Sequence, residues 1–215
     1  MNQSARFLVV LDADSTLIHN EVIELLAEEA GSLNTVADIT ERAMRGELDF
    51  EHSLRQRVAT LAGLPVACFE AVGMRIRVTD GVTELVAGVR AAGGAIGVVS
   101  GGFHEILDPL AETLGLDYWR ANRLETREGI LTGALTGEIV DAAAKARALE
   151  EWAADAGIPI ERTVAVGDGA NDLLMMDAAA LSVAFNAKPR VRAHADVVMD
   201  RQDLSQVLPL LGLRG

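Results

Sequence analysis

Phe7-Leu8-Val9-Val10-Leu11-Asp12-Ala13-Asp14-Ser15-Thr16 is the stretch whose reading decides the fold. Five apolar residues in a row, without period-two alternation, read as a strand covered on both faces, as in parallel sheets. Two carboxylates then stand two positions apart against that buried strand. Placing them there is costly unless a cation or a reacting group meets them. The plainer alternative is a strand that ends in a turn, with Asp14 and Ser15 capping the next helix. These ten residues leave both readings open.

Two further apolar runs, at 95–99 and 163–166, have the same unalternating character. Each ends in a small or acidic cluster: Ser100-Gly101-Gly102-Phe103 after one, Gly167-Asp168-Gly169-Ala170-Asn171-Asp172 after the other. Amphipathic helical stretches fall at 81–92, 105–114, 142–156 and 171–179. Strand–helix alternation of this kind predicts an α/β fold, a doubly wound parallel sheet. Ligands bind such sheets beyond the carboxyl ends of the strands, so the three polar clusters are expected to converge.

Residues 18–77 break the alternation. They read only as helices, over 21–30, 36–45 and 50–62, closed by Gly31, Gly46 and Gly63, with Asp49 capping the third. The expected organisation is therefore an α/β core from 1–17 and 78–215, with a helical cap inserted over 18–77. Near 120–135, Glu128-Gly129 separates two short, partly alternating runs, which predicts a small β-hairpin flap.

With 215 residues and a formal net charge of −13, the chain is a poor candidate for binding nucleic acid, whose phosphates call for clustered Lys and Arg. Any anion it binds must be met by local cations and backbone amides. A single cysteine, Cys68, rules out an internal disulfide framework and a multi-cysteine zinc site. No charged-then-apolar leader precedes the first strand, and no window approaches the roughly 20 apolar residues of a membrane helix. The expectation is a cytoplasmic protein with no membrane partner, monomer or homodimer.

Some residues break the pattern of their own segment. In the third cap helix, at about 100° per residue, Phe50, Leu54, Val58 and Leu61 form an apolar face, and Arg57 falls inside its arc. Such an arginine either snorkels or meets an anion, and its fork suits a carboxylate. Lys145 extends the stripe of Leu149, Trp152, Ala153 and Ala156 by one turn. It also sits at the helix end where the dipole disfavours a cation. It reads either as a frayed first turn in solvent or as a phosphate contact. Ser100-Gly101-Gly102-Phe103 reads as the turn that opens a helix, with a hydroxyl and bare amides that can cradle an anion. Asp168, Asn171 and Asp172 offer the hard oxygen ligands that magnesium takes, the alternative being Asp168 as a helix cap.

Taken in order, residues 11–17 (Leu-Asp-Ala-Asp-Ser-Thr-Leu), Glu21, residues 43–58 (Ala-Met-Arg-Gly-Glu-Leu-Asp-Phe-Glu-His-Ser-Leu-Arg-Gln-Arg-Val), 98–103, Lys145, 166–172 and 184–189 (Ala-Phe-Asn-Ala-Lys-Pro) resemble the haloacid dehalogenase superfamily. Within it the chain is similar to the phosphoserine phosphatase family. The resemblance implies a Rossmann-like core and Mg2+-dependent hydrolysis of O-phospho-L-serine through an aspartyl phosphate, the last step of serine biosynthesis. It implies Asp12 as nucleophile and Asp14 as general acid, then base. Asp12, the Asp14 backbone carbonyl and Asp168 would hold the metal, with Asp172 orienting them. Ser100, the Gly101 amide and Lys145 would neutralise the phosphoryl oxygens, and Asn171 would hold the leaving-group side. Glu21 and Arg57 would meet the substrate's ammonium and carboxylate, while Met44 and Phe50 would close an apolar lid.

The sequence departs from the family pattern at Ala13, where a bulkier apolar residue is usual, and at Ser182, where glycine is. Two alternatives compete. One is a phosphatase or phosphotransferase with the same core acting on another small phosphomonoester. The other is a phospho-acceptor signalling domain, against which Asp14 argues, since an acid/base two residues on shortens the life of an aspartyl phosphate.

Overall fold

Residues Leu8–Leu11 are wholly buried and form the central strand, β1, of a seven-stranded sheet in the computed structural model, which describes residues 5–213. After β1 come four helices: α1 (Val22–Glu29), α2 (Leu33–Met44), α3 (Phe50–Ala59) and α4 (Cys68–Gly73). The chain continues through α5 (Val82–Ala91), β2 (Ala95–Phe103), α6 (His104–Leu114), β3 (Tyr118–Arg127), β4 (Ile130–Thr136) and α7 (Ala142–Asp155). It ends with β5 (Thr163–Gly167), α8 (Leu173–Ala178), β6 (Leu181–Phe185), α9 (Pro189–Arg192), β7 (Val197–Met199) and α10 (Val207–Leu210). Of the expected core segments, residues 1–4 and 214–215 lie outside the described residues.

The sheet order is β4-β3-β2-β1-β5-β6-β7, parallel throughout except for β4. This is the expected doubly wound α/β sheet. Val9 and Leu11 pack into one core with residues of α1, α5 and α6, while Leu8 and Val10 pack into a second with α7 and α8. Burial on both faces is why β1 and β5 show no alternation. The order reverses at β1, which pairs with β2 on one side and β5 on the other. Leu11 is in register with both Val98 and Val166, so Asp12, Ser100 and Asp168 emerge at one edge of the sheet.

Residues 18–77 hold α1–α4, and the chain enters and leaves them side by side. Ile18 bridges Val78, the His19 amide donates to the Arg77 carbonyl at 2.9 Å, and the Thr79 amide donates to Leu17 at 2.9 Å. Asp49 caps α3 through the His52 amide at 2.8 Å. Helix α4 lacks a side-chain cap and spans six residues, which left it without a sequence signal. Helix α3 ends at Ala59, three residues before the expected end, and the chain then turns through Gly63 at φ +90°.

Three expectations need correction. Ser100-Gly101-Gly102-Phe103 does open a helix, with Phe103 as the cap residue of α6, but it is no turn: it is the end of β2, bulged against β3 so that Phe103 pairs with Asn122. The expected flap is real as a hairpin, turning through Glu128 and Gly129 at φ +53° and +78°, but β3 begins as a parallel strand of the main sheet. The hairpin's far end is tied to the insertion: the Gly63 amide donates to Leu131 and the Val66 amide to Gly129, each at 2.9 Å. Finally, the stretch 171–179 divides into a 3-10 turn, Ala170–Asp172, followed by α8. Strands β6 and β7 add to the three strands expected. No helix among the described residues is long and apolar enough to cross a membrane.

Candidate active site

At the carboxyl edge of β1, β2 and β5, Asp12, Asp14, Gly101, Asp168 and Asn171 line a cleft roofed by Glu21, Phe50, Leu54 and Arg57 from the insertion. Ser100, Lys145 and Asp172 lie just beneath it, all buried. Most of these residues are legible in the sequence, and the fold brings them together from segments as far apart as those of Asp12 and Asp172.

Lys145 is fully buried, which excludes the frayed turn. Asp141 caps α7 by accepting from the Ala144 amide at 2.8 Å, so the helix starts early enough to turn Lys145 inward. Its ammonium bonds the Asp12 carboxylate and, at 2.6 Å, Asp172. The other Asp172 oxygen accepts from the amides of Asp168 at 3.2 Å and Gly169 at 3.0 Å. Only glycine fits at 167, because a Cβ there would come within 2.5 Å of the Asp172 carboxylate.

Asp12, Asp168 and Asp172 can bring one oxygen each within 4.8 Å of the others, against a single ammonium. Burial, followed by the Asp172 charge, pushes Asp12 up and lifts Asp168 to about 6. Burial also holds Asp14 well above the carboxylate range, helped by Glu21 and Asp12. One Asp14 oxygen is buried without a partner among the described residues. Acid catalysis with a carboxylate nucleophile requires a protonated Asp14 beside a negative Asp12; burial favours the first, and at Asp12 the Lys145 ammonium opposes burial in favour of the second. A cluster of hard oxygens with surplus negative charge suits a divalent cation.

Above this floor, Arg57 is partly buried, and the only hydrogen bond of its guanidinium among the described residues is Nε to the Ser53 carbonyl at 3.3 Å. Burial lowers its pKa, opposed by Glu21, Asp14 and Glu24. Phe50 lies over Gly101, where a Cβ would meet its ring at 3.1 Å. Met44 is not brought to the cleft. It is the last residue of α2 and is 74% exposed, facing solvent, because the α2 core positions are Val36 and Ile39.

Some lining residues escaped the sequence reading. Lys188 lines the cleft beside Asp168 and donates its amide to the Asp168 carbonyl at 3.1 Å. It stands just past β6, a strand the periodicity did not reveal. Ser15, at φ +60°, donates its hydroxyl to Glu21 at 2.7 Å and so fixes that carboxylate. Ala13 is buried and borders a void of about 10 Å³ shared with Asp14 and Ser100. Ser182 exchanges hydrogen bonds with Asp196, tying β6 to the turn before β7.

A family model for haloacid dehalogenase-like hydrolases matches residues 9–177. A phosphoserine phosphatase of Streptomyces coelicolor is 53% identical over 213 residues, 99% of this chain and 52% of its own length. One from Streptococcus thermophilus is 51% identical over 204 residues, 95% of each chain. The solved structure of a phosphoserine phosphatase as an analogue of its phospho-aspartyl intermediate is 43% identical with a TM-score of 0.90, covering 98% of this chain and 100% of its own. The chain thus spans about half of the Streptomyces coelicolor relative and nearly all of the other two.

Proposed function

Because the chain belongs to the haloacid dehalogenase-like hydrolases, and within them to the phosphoserine phosphatases, we propose that it hydrolyses O-phospho-L-serine to serine and phosphate. The observation that carries the substrate is the pairing of charges in the roof. A partly buried Arg57 that has no carboxylate partner among the described residues and a fixed Glu21 face the same cleft as Asp12 and Asp14, and an amino acid presents the opposite charges to both.

In this reading the Asp12 carboxylate attacks phosphorus while Asp14 gives its proton to the departing seryl oxygen. Asp14, now a carboxylate, takes a proton from water as that water attacks phosphorus, and Asp12 leaves. Ser100, the Gly101 amide and Lys145 meet the charge on the phosphoryl oxygens. Asn171 faces the leaving group. Residues 18–77 act as a cap, and closure over the core would carry Met44 and Phe50 inward to exclude water.

Asp12, Asp168 and the Asp14 carbonyl would hold Mg2+, whose charge would offset the cluster and the phosphoryl group. Both Asp172 oxygens are already engaged, which suits an orienting role. A group whose folded pKa is raised costs stability once pH rises above its unfolded value. The metal-free cluster should therefore weaken the fold as pH climbs from about 4 through about 6, the span of the Asp168 shift. The gain in Tm on adding Mg2+ should grow across that window. A gain independent of pH would remove these carboxylates as its ligands.

Phosphate release from phosphoserine, compared with other small phosphomonoesters and with transfer to a second alcohol, tests the proposal; no preference for phosphoserine hydrolysis overturns it. Arg57→Ala should raise KM for phosphoserine about a hundredfold and change it little for an ester without a carboxylate. Equal effects on both would take the carboxylate away from Arg57.

A further inference from the structure

Asn122 is 1% exposed, yet no step of the reaction uses it. It lies on β3 opposite Phe103, and both ends of its amide are engaged. Its Nδ2 donates to the Gly101 carbonyl at 2.8 Å, and its Oδ1 accepts from the Val140 amide at 2.9 Å. A buried side-chain amide satisfied at both ends holds two backbone segments in one geometry.

The first segment is the end of β2. The Gly101 carbonyl and the Gly102 N–H belong to one planar peptide, so pinning the carbonyl aims the N–H. That N–H donates to Ser100 Oγ at 2.8 Å. A hydroxyl that accepts there keeps its single proton to donate elsewhere. The peptide has no slack on its other face, since a Cβ at Gly102 would stand 3.2 Å from the Asp14 carboxylate. The second segment is the approach to α7. Val140 directly precedes Asp141, the cap that starts the helix and turns Lys145 inward.

We infer that Asn122 is a positioning residue for phosphate. By clamping the Gly101–Gly102 peptide and Val140 together, it aligns the Ser100 hydroxyl with the Lys145 ammonium. The inference rests on the proposed reading, in which both groups take the phosphoryl oxygens. It predicts a selective defect, because Glu21 and Arg57 belong to the roof and do not depend on this clamp.

The test uses the full chain carrying Asn122→Leu, close in volume but without hydrogen bonds, and Asn122→Ala. Inorganic phosphate affinity is measured by calorimetry with Mg2+, and L-serine is measured as an inhibitor, both alongside turnover and circular dichroism. In folded variants, phosphate should bind at least about tenfold more weakly, and kcat should fall by a similar factor. L-Serine inhibition should stay within about twofold of wild type. Unchanged phosphate affinity overturns the inference. So does equal weakening of phosphate and serine, or failure of both variants to fold, since each would make Asn122 scaffold alone. Phosphate binding is read directly, so a wild-type chain that binds phosphate but ignores phosphoserine refutes the substrate and still allows Asn122 to be judged.

Discussion

Asp12→Asn is expected to cut phosphate release by at least about a thousandfold while leaving the chain folded. The carboxamide nearly matches the carboxylate in shape but is neutral and a poor nucleophile, so no aspartyl phosphate forms. The fold should tolerate the exchange for a reason visible in the site. Burial and the Asp172 charge already oppose ionisation of Asp12, and the variant removes one negative charge from three carboxylates facing one ammonium. Lys145 keeps Asp172 as a partner at 2.6 Å. The checks are steady-state phosphate release and a thermal melt. Substantial activity in a folded variant would mean that another group is the nucleophile.

Lys145→Met should damage both activity and stability, which separates it from Asp12→Asn. Its ammonium is fully buried and bonds Asp12 and Asp172 at once. Methionine fills similar space but leaves two buried carboxylates without their cation. Removing one partner of a buried ion pair typically destabilises by about 3–5 kcal/mol. Loss of a preorganised charge at the phosphoryl oxygens should also lower kcat by at least about a hundredfold. The stability defect has a direction in pH. Burial already raises the Asp12 pKa against the Lys145 ammonium, so without that ammonium Asp12 gains a proton still more readily in the fold than in the unfolded chain, and the variant should recover on acidification and worsen as pH rises. Lys145→Arg should not restore activity, because the planar fork has no room where the native side chain is fully enclosed. A Lys145→Met melt like that of wild type at neutral pH would show that the ion pairs contribute nothing to the fold.

The legible parts of this protein are those whose physics is local. Val9, Val10 and Leu11 announce a strand covered on both faces, and both cores bear that out. Asp49 before Phe50 and Gly63 after the third helix mark the segment's limits to within three residues. The extension of β2 through Gly101 and Gly102 was not legible, because glycines after a strand look the same whether they turn or continue. Here they continue because β3 pairs with them and Asn122 takes the Gly101 carbonyl. Short elements such as α4, β6 and β7 carry too few residues for a period to show. Lys188, just past β6, belongs to the segment 184–189 that carries the resemblance, but nothing local gives it a role in the cleft.

Lys145 and Met44 show the same limit from opposite sides. Helical spacing places Lys145 on the apolar stripe but leaves solvent and phosphate equally open, and burial against Asp12 and Asp172 rules out solvent. Met44 is expected at the lid from the resemblance of its segment, and in this structure it ends α2 on the solvent side.

By itself the sequence determined the strand–turn motifs that carry the carboxylates, the α/β order and the kinds of charge in the roof. Each of these is written in neighbouring residues, where periodicity, caps and turns act over a few positions. Which groups share a proton, a cation or a peptide was decided only in the tertiary structure. Asp12 meets Lys145 across 133 residues, and Asn122 joins two segments that lie 21 and 18 residues away. Desolvation and hydrogen-bond partners depend on everything packed around a group, and that environment exists only once the sheet has closed.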